Sequence, residues 1–211
     1  MTTFRAFLVE KNEDGTFTRS VVDRELDDLP AGELLIDVKF SSLNYKDALS
    51  ATGNPGVTRS YPHTPGIDAA GTILESTVAN FTAGDEVVVI GFDLGMNTSG
   101  GFGERVRVPA AWAVPLPQGL SLEEAMILGT AGFTAALSIH KLERAGMSPE
   151  GGPILVSGAT GGVGSVAIKL LDQLGYEPHA VTGKEDQHEF LKSIGAREIL
   201  SREDLEAGGD R

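Results

Sequence analysis

The sequence predicts an α/β protein in two parts. Residues 1–120 read as a β-rich, barrel-like domain, and residues 121–211 as a helical bridge followed by the opening of a doubly wound parallel-sheet domain. Three observations carry this reading. Short strands separated by Gly/Pro-rich turns fill the first part. Near Ser121 the apolar spacing becomes helical. Further on, a glycine-rich loop stands between an apolar run and a helix.

In the first part, residues 4–9 and 16–22 read as strands joined by the turn Asn12-Glu13-Asp14-Gly15. Leu34 to Phe40 alternates as a half-buried strand does, and 69–74, 86–90 and 104–108 continue the series. Ser121 followed by Leu122-Glu123-Glu124 is a helix-start signal, with apolar spacing running on to about Leu142. Pro153 to Ser157 reads as a buried parallel strand. A helix over 163–174 with Gly175 as its stop follows, then a strand at 179–181, a helix over 184–194 stopped by Gly195, and a short strand at 198–200. A complete doubly wound domain has about six parallel strands. Only three are expected here, so the sequence reads as ending before that domain is complete, with an open sheet edge and a tendency to self-associate.

Composition narrows the function classes. The net charge of −13 disfavours binding to a phosphate backbone, so no nucleic-acid partner is expected. With no cysteine there are no disulfides, no thiolate nucleophile and no cysteine-based metal site. The four histidines (His63, His140, His179, His188) lack ligand spacing, so no metal is expected. The first residues lack the apolar core of a signal peptide, and the apolar stretch from Ala125 to Ile139 is shorter than the ~20 residues that span a bilayer. A cytoplasmic protein without a membrane partner is the expectation.

The loop Val156-Ser157-Gly158-Ala159-Thr160-Gly161-Gly162-Val163-Gly164 is the strongest chemical signal. Between a strand and a helix, glycines let the backbone approach a pyrophosphate and the helix pack on the strand, while the helix N-terminus offers free N–H groups. Ala159 to Gly164 are therefore the expected phosphate-binding residues of a Rossmann dinucleotide site, in the form Ala-x-Gly-x-x-Gly. A ligand-free glycine turn is the plainer alternative. At the end of the second strand, where an NAD site usually carries Asp or Glu, the chain has Thr182-Gly183-Lys184. A hydroxyl and an ammonium there, with Arg202 as a second cation, favour the 2′-phosphate of NADPH over NADH. Glu185 and Asp186 lie close by, and a solvated Lys184 is the plainer alternative.

The glycine loop, the preceding β domain and four strings together resemble the medium-chain dehydrogenase/reductases. The strings are Ser41-Ser42-Leu43-Asn44-Tyr45-Lys46-Asp47-Ala48, Tyr61 to Gly71 (YPHTPGIDAAG), Gly84-Asp85-Glu86-Val87 and Gly129-Thr130-Ala131-Gly132-Phe133-Thr134-Ala135. The first and last point to the zinc-independent quinone oxidoreductase/acryloyl-CoA reductase branch. The resemblance covers essentially the whole chain and implies a GroES-like catalytic domain before the Rossmann domain. Zinc-dependent members carry a cysteine where Asn44 stands and His-Glu where Ile67-Asp68 stands, so the resemblance implies hydride chemistry without zinc. It implies that Asn44 and Asp47 line the site, with Asp47 orienting Lys46 or another neighbour, and that Thr134 contacts the nicotinamide, with Thr130 one turn earlier as a further cofactor-binding candidate. Tyr45 is the candidate proton donor. Related enoyl reductases use a tyrosine in the loop aligned with Gly53 to Gly56; here that loop has none, which leaves solvent as an alternative. Asn44 and Asp47 also fit a helix cap and a first-turn acid, and a helical threonine also fits back-bonding to the chain.

The implied activity is NADPH-dependent reduction of a short 2-enoyl thioester such as acryloyl-CoA. A quinone reductase is the second enzyme reading, and a non-catalytic NADPH-binding module or inactive fragment the reading from another class. The expected partners are a small-molecule substrate and, for the full-length form, a second copy in a homodimer.

Overall fold

A computed structural model describes residues 3–201 and residue 203. It divides into two compact units, 1–130 and 131–211.

The first unit begins with a hairpin of β1 (Thr3–Lys11) and β2 (Phe17–Glu25). Its turn is built by side chains: Asn12 Nδ2 donates to Thr16 Oγ1 at 2.8 Å, and the Thr16 N–H donates to Asp14 Oδ1 at 2.9 Å. Gly15, at φ 83°, supplies the left-handed residue. Both strands run past the predicted ends, because register pairing continues from Thr3↔Glu25 to Lys11↔Phe17 regardless of side-chain polarity.

A five-stranded antiparallel sheet follows, in the order β6-β3-β4-β5-β7. Its strands are β3 (Leu34–Phe40), β4 (Asp68–Ser76), β5 (Glu86–Ile90), β6 (Arg105–Val108) and β7 (Ala113–Pro115). The last, pairing with β5, was not expected: three residues among prolines carry no periodic signal. Leu34, Ile36, Ile73, Val87, Val89, Leu94, Val106 and Val108 form the core of this unit. The hairpin joins the rest through bonds such as Phe7 N–H to Phe102 O (2.8 Å) and Val9 N–H to His63 O (2.8 Å).

Between β3 and β4 lies the short helix α1 (Tyr45–Ala51). Helix α2 (Leu122–Arg144) opens on the predicted cap: the Ser121 N–H donates to Glu124 Oε2 at 2.8 Å, and the Glu124 N–H donates to Ser121 Oγ at 3.2 Å. It is not one continuous helix. At Gly129 the backbone turns to φ 49°, ψ −154°, and the helix restarts at Thr130. With 23 residues α2 is longer than the apolar stretch expected from the sequence, and long enough by length and composition to cross a bilayer. It is broken at Gly129, and Leu122, Ala125, Met126, Ala135 and Ile139 are buried inside the protein while Ile127 and Phe133 are exposed.

The second unit holds a parallel sheet in the order β10-β9-β8. Its strands are β8 (Ile154–Ser157), β9 (Pro178–Val181) and β10 (Glu198–Leu200). Helix α3 (Gly162–Gln173) follows β8 and ends at Gly175, where the Tyr176 N–H reaches back to Leu171 O at 2.9 Å. The expected helix over 184–194 is shorter: a 3₁₀ turn at Glu185–Gln187 leads into α4 (His188–Ser193). Lys184 is extended (φ −102°, ψ 95°) because its N–H donates to Thr182 Oγ1 at 3.1 Å, a local bond that competes with the helix. Val156, Ala159, Ile168, Leu171, Ala180 and Leu191 form the core of this unit.

His63 makes the first unit pH-sensitive. It is buried and its Nε2 donates to Gly95 O at 2.9 Å. Burial holds its pKa below the ordinary histidine value, partly opposed by that bond. The unfolded chain therefore takes up a proton that the folded one refuses, and stability falls as pH drops below about 6.5. The gap in unfolding midpoint between the parent and His63→Gln, which retains an N–H donor, is expected to shrink between about pH 7.5 and about pH 5. A gap that is constant with pH contradicts this reading of His63.

Candidate functional site

The two strings that mark the branch meet at one buried carboxylate. Asp68, the first residue of β4, is 0% exposed. Its Oδ2 accepts from Asn44 Nδ2 at 2.9 Å and from the Thr130 N–H at 2.9 Å. Its Oδ1 accepts a short hydrogen bond from the Thr130 hydroxyl. The Asp68 carbonyl accepts from Ser41 Oγ at 2.7 Å. Nearby, Ser42 Oγ donates to Met126 O at 2.6 Å.

These bonds resolve the break in α2. A helix interrupted at Gly129 leaves carbonyls of its first half and N–H groups of its second half without helical partners. Ser42 takes a carbonyl from the first half, and Asp68 takes the first N–H of the second. The carboxylate at a helix N-terminus also meets the positive end of the helix dipole. Only glycine fits at the break. A Cβ at Gly129 would lie 2.3 Å from Ser42 Oγ and 2.8 Å from Asp68 Oδ2, on a backbone that side chains avoid.

Asp47 serves the backbone in the same region. Its Oδ2 accepts from the Asn44 N–H at 2.8 Å and its Oδ1 from the Ile67 N–H at 2.9 Å. It is 3% exposed, so the expectation that it orients Lys46 and lines an open site is replaced by a buried carboxylate that ties α1 to the start of β4. Burial raises its pKa, the N–H donors of Asn44 and Ile67 oppose the rise, and the charge of Asp68 adds to it. Asn44 holds the N-cap position of α1 and is half-buried, so the cap reading and a side chain within reach of a ligand coexist. Tyr45 is 80% exposed, beside Leu43 at 89%.

In the second unit, β8 runs into the glycine loop and then α3. Gly158 takes φ 60°, and its carbonyl accepts the Gly161 N–H at 2.9 Å. A Cβ at Gly164 would meet that carbonyl oxygen at 2.3 Å, so the helix can approach the loop only with glycine there. The turn-forming glycine is thus Gly158, next to Ala159. Ala159 is fully buried in the core, so neither its methyl nor its backbone is open to a ligand. Gly161 is the N-cap of α3, and no side chain caps this end. Gly162, Val163 and Gly164 therefore carry the first N–H groups of the helix, and Thr160 is half-buried beside them. Thr134, half-buried on α2, gives its carbonyl to Ser138 Oγ at 2.8 Å.

At the end of β9, the Thr182 N–H donates to Leu200 O at 3.0 Å, and its hydroxyl accepts from the Lys184 N–H. That hydroxyl still has a proton to donate. Gly183 and Lys184 are exposed. Arg202 lies outside the described residues. Among the described residues no group of three or more His, Cys, Asp or Glu is arranged to hold a metal ion. The oxygen atoms of Asp68 are engaged by Asn44 and Thr130, so its donor set is spent on the fold.

Sequence reasoning had Asn44, Asp47 and Thr130 as separate site residues and left Asp68 as a departure from the zinc pattern. The structure brings Asn44 and Thr130 together on Asp68. The signal available was the pairing of an aspartate at a strand start with the Gly129-Thr130 break, 62 residues away in sequence. Substituting Gly129 by alanine is expected to cost about 2–4 kcal/mol of unfolding free energy in denaturant titration. A loss below about 0.5 kcal/mol, the range of a neutral surface change, contradicts the break as described.

Comparison with known proteins agrees with this architecture. Residues 30–118 match the alcohol dehydrogenase GroES-like domain. The acrylyl-CoA reductase AcuI of Ruegeria pomeroyi is 45% identical over 203 residues, which is 96% of this chain and 62% of that protein. The NADPH-bound structure of YhdH from Escherichia coli K-12 superposes with a TM-score of 0.90 at 49% identity, covering 94% of this chain and 61% of the other. YhfP of Bacillus subtilis, with NAD bound, gives a TM-score of 0.94 at 47% identity over 99% and 63%. The chain thus spans somewhat under two thirds of the length of the relatives it matches. It belongs to the medium-chain dehydrogenase/reductases, in the branch that holds YhfP and the acrylyl-CoA reductase AcuI.

Proposed function

We propose that the protein is an NADPH-dependent, zinc-independent reductase of the activated C=C bond in a short 2-enoyl thioester such as acryloyl-CoA. The observation that carries the reading is a pair of features in the second unit whose chemistry suits a dinucleotide. One is a tight glycine turn delivering an uncapped helix N-terminus at Gly162 to Gly164. The other is a strand end that offers Thr182 and the exposed Lys184 in place of a carboxylate. Both fit a dinucleotide: N–H groups and a helix dipole suit a pyrophosphate, and a hydroxyl with an ammonium suits a 2′-phosphate. The likeness to AcuI at 45% identity supports the substrate class.

The chemistry that a bound nicotinamide would supply is a hydride for the β-carbon of the enoyl group. The chain's part is to bind and to orient. Gly162 to Gly164 would hold the pyrophosphate by backbone N–H groups, while Thr182, Gly183 and Lys184, with Arg202, would read the 2′ end. Asn44, half-buried at the start of α1, is the residue of the first unit proposed beside the reacting group. A proton must reach the α-carbon, and the exposed Tyr45 hydroxyl or solvent supplies it. The thioester already makes the alkene electrophilic, so no Lewis acid is required of the protein. The partners proposed are this small molecule and, at full length, a second copy of the chain. The net charge of −13 argues against nucleic acid.

Lys184→Ala is expected to weaken NADPH binding about tenfold or more while moving NADH by less than about twofold, since one charge-assisted contact is lost only in NADPH. Fluorescence titration checks this, and equal NADH and NADPH affinity in the parent protein contradicts it. The reaction itself is tested in a form extended to its relatives' length, by following NADPH oxidation with acryloyl-CoA beside a simple quinone. NADPH-specific turnover of the thioester is the expected result. Turnover of the quinone alone favours a quinone reductase, and tight NADPH binding without turnover of either favours a binding module.

A further inference from the structure

The hairpin that opens the first unit leaves one strand edge open. Just beyond its last paired residues, the Asn12 N–H donates to Thr16 O at 2.8 Å. Ladder bonds alternate along an antiparallel pair, so the even-numbered residues of β2 bond to β1 and the odd-numbered ones turn their backbone outward. β1 obeys the same alternation: Phe7 and Val9 give their N–H groups to Phe102 and His63 on its far side. At each end of β2 one outward group is already used. The Phe17 carbonyl accepts from Arg19 Nη2 at 2.9 Å, and the Glu25 N–H donates to Asp28 Oδ2 at 3.1 Å. Between them, the outward N–H and C=O groups of Arg19, Val21 and Asp23 have no partner among the described residues. A free edge is commonly blunted by a proline, a lysine, a bulge or short length. β2 has nine residues, none of them proline or lysine, and an unbroken register.

We propose that this edge is a docking site for a second copy of the same chain, the two β2 strands pairing antiparallel about a two-fold axis at Val21. Val21 then faces the partner's Val21, and each Arg19 faces the partner's Asp23. All three residues turn their backbone outward, so each of these pairs can exchange both of its N–H···O bonds. The side chains agree with the register. Arg19 and Asp23 are exposed and Val21 is 61% exposed, so the pairing covers apolar surface at its centre and sets opposite charges directly across from each other on both sides. A two-fold axis at Arg19 or at Asp23 instead opposes two like charges. The contact is isologous and closes at two copies, because the far side of each β1 is already bonded within its own chain. The interface lies within the first unit and is independent of the reductase reading.

Charge exchange tests it, with sedimentation velocity over a concentration series as the readout. The parent protein is expected to exchange between monomer and dimer. Arg19→Asp sets two acids across each side of the interface, and Asp23→Arg sets two bases there, so each variant alone is expected to dimerise about tenfold more weakly or worse. Mixed in equal amounts, the two variants oppose acid to base at both sides, and a mixed dimer within about threefold of the parent's affinity is expected. Val21→Pro removes the central N–H donor at a position where the hairpin itself makes no bond, so it is expected to abolish the dimer and keep the fold. Should Asp23→Arg fail to fold, since Arg5 stands opposite it on β1, Arg19→Asp and Val21→Pro still decide. A parent that stays monomeric overturns the proposal, as does either of these two variants dimerising with the parent's affinity, or folded charge variants that fail to pair when mixed.

Discussion

A buried carboxylate without partners is among the costliest groups a fold can contain. Asp68 is tolerated at zero exposure because Asn44 and Thr130 surround it with donors. That requirement shapes the surrounding chain. Thr130 can offer its N–H only if the helix breaks just before it, and the break needs a glycine at 129 with room for Ser42 beside it. Asn44 can reach Asp68 only if α1 starts where Asp47 anchors it to the backbone of Ile67. Strings that look like unrelated family signatures are, physically, the parts of one hydrogen-bonded knot.

The second unit applies a different constraint, close approach of backbone to backbone. Gly164 sits where any Cβ would overlap the Gly158 carbonyl, and Gly158 takes a left-handed turn that keeps its carbonyl there. The outcome is a helix N-terminus that no side chain caps. A set of free N–H groups at a helix dipole is stable in water and favourable beside an anion. The geometry that makes the turn possible is thus also what leaves these N–H groups without a side-chain cap.

Much of this was legible in the sequence because it is local. The turn at Asn12 to Gly15, the cap at Ser121, the strand before the glycine loop and the stop at Gly175 are each written in neighbouring residues. The break at Gly129 was hidden because apolar spacing continues on both sides of it, and periodicity does not register a single residue's φ and ψ. The role of Asp68 was hidden because its partners lie 24 and 62 residues away. Lys184 read as a helix start because the bond from its N–H to Thr182 Oγ1 leaves no trace in apolar spacing. Ala159 read as a fingerprint position, yet its methyl belongs to the core, and the neighbouring Gly158 makes the turn.

The account stands or falls on whether Asp68 holds the helix restart at Thr130. Amide hydrogen exchange of the Thr130 N–H, in the parent protein and under native conditions, measures this directly. An N–H held by a fully buried carboxylate is expected to exchange only through unfolding of the whole unit, with an opening free energy close to that of global unfolding. Exchange at the rate of the exposed first turn of α3, at Gly162 and Val163, would mean that the carboxylate does not hold the break.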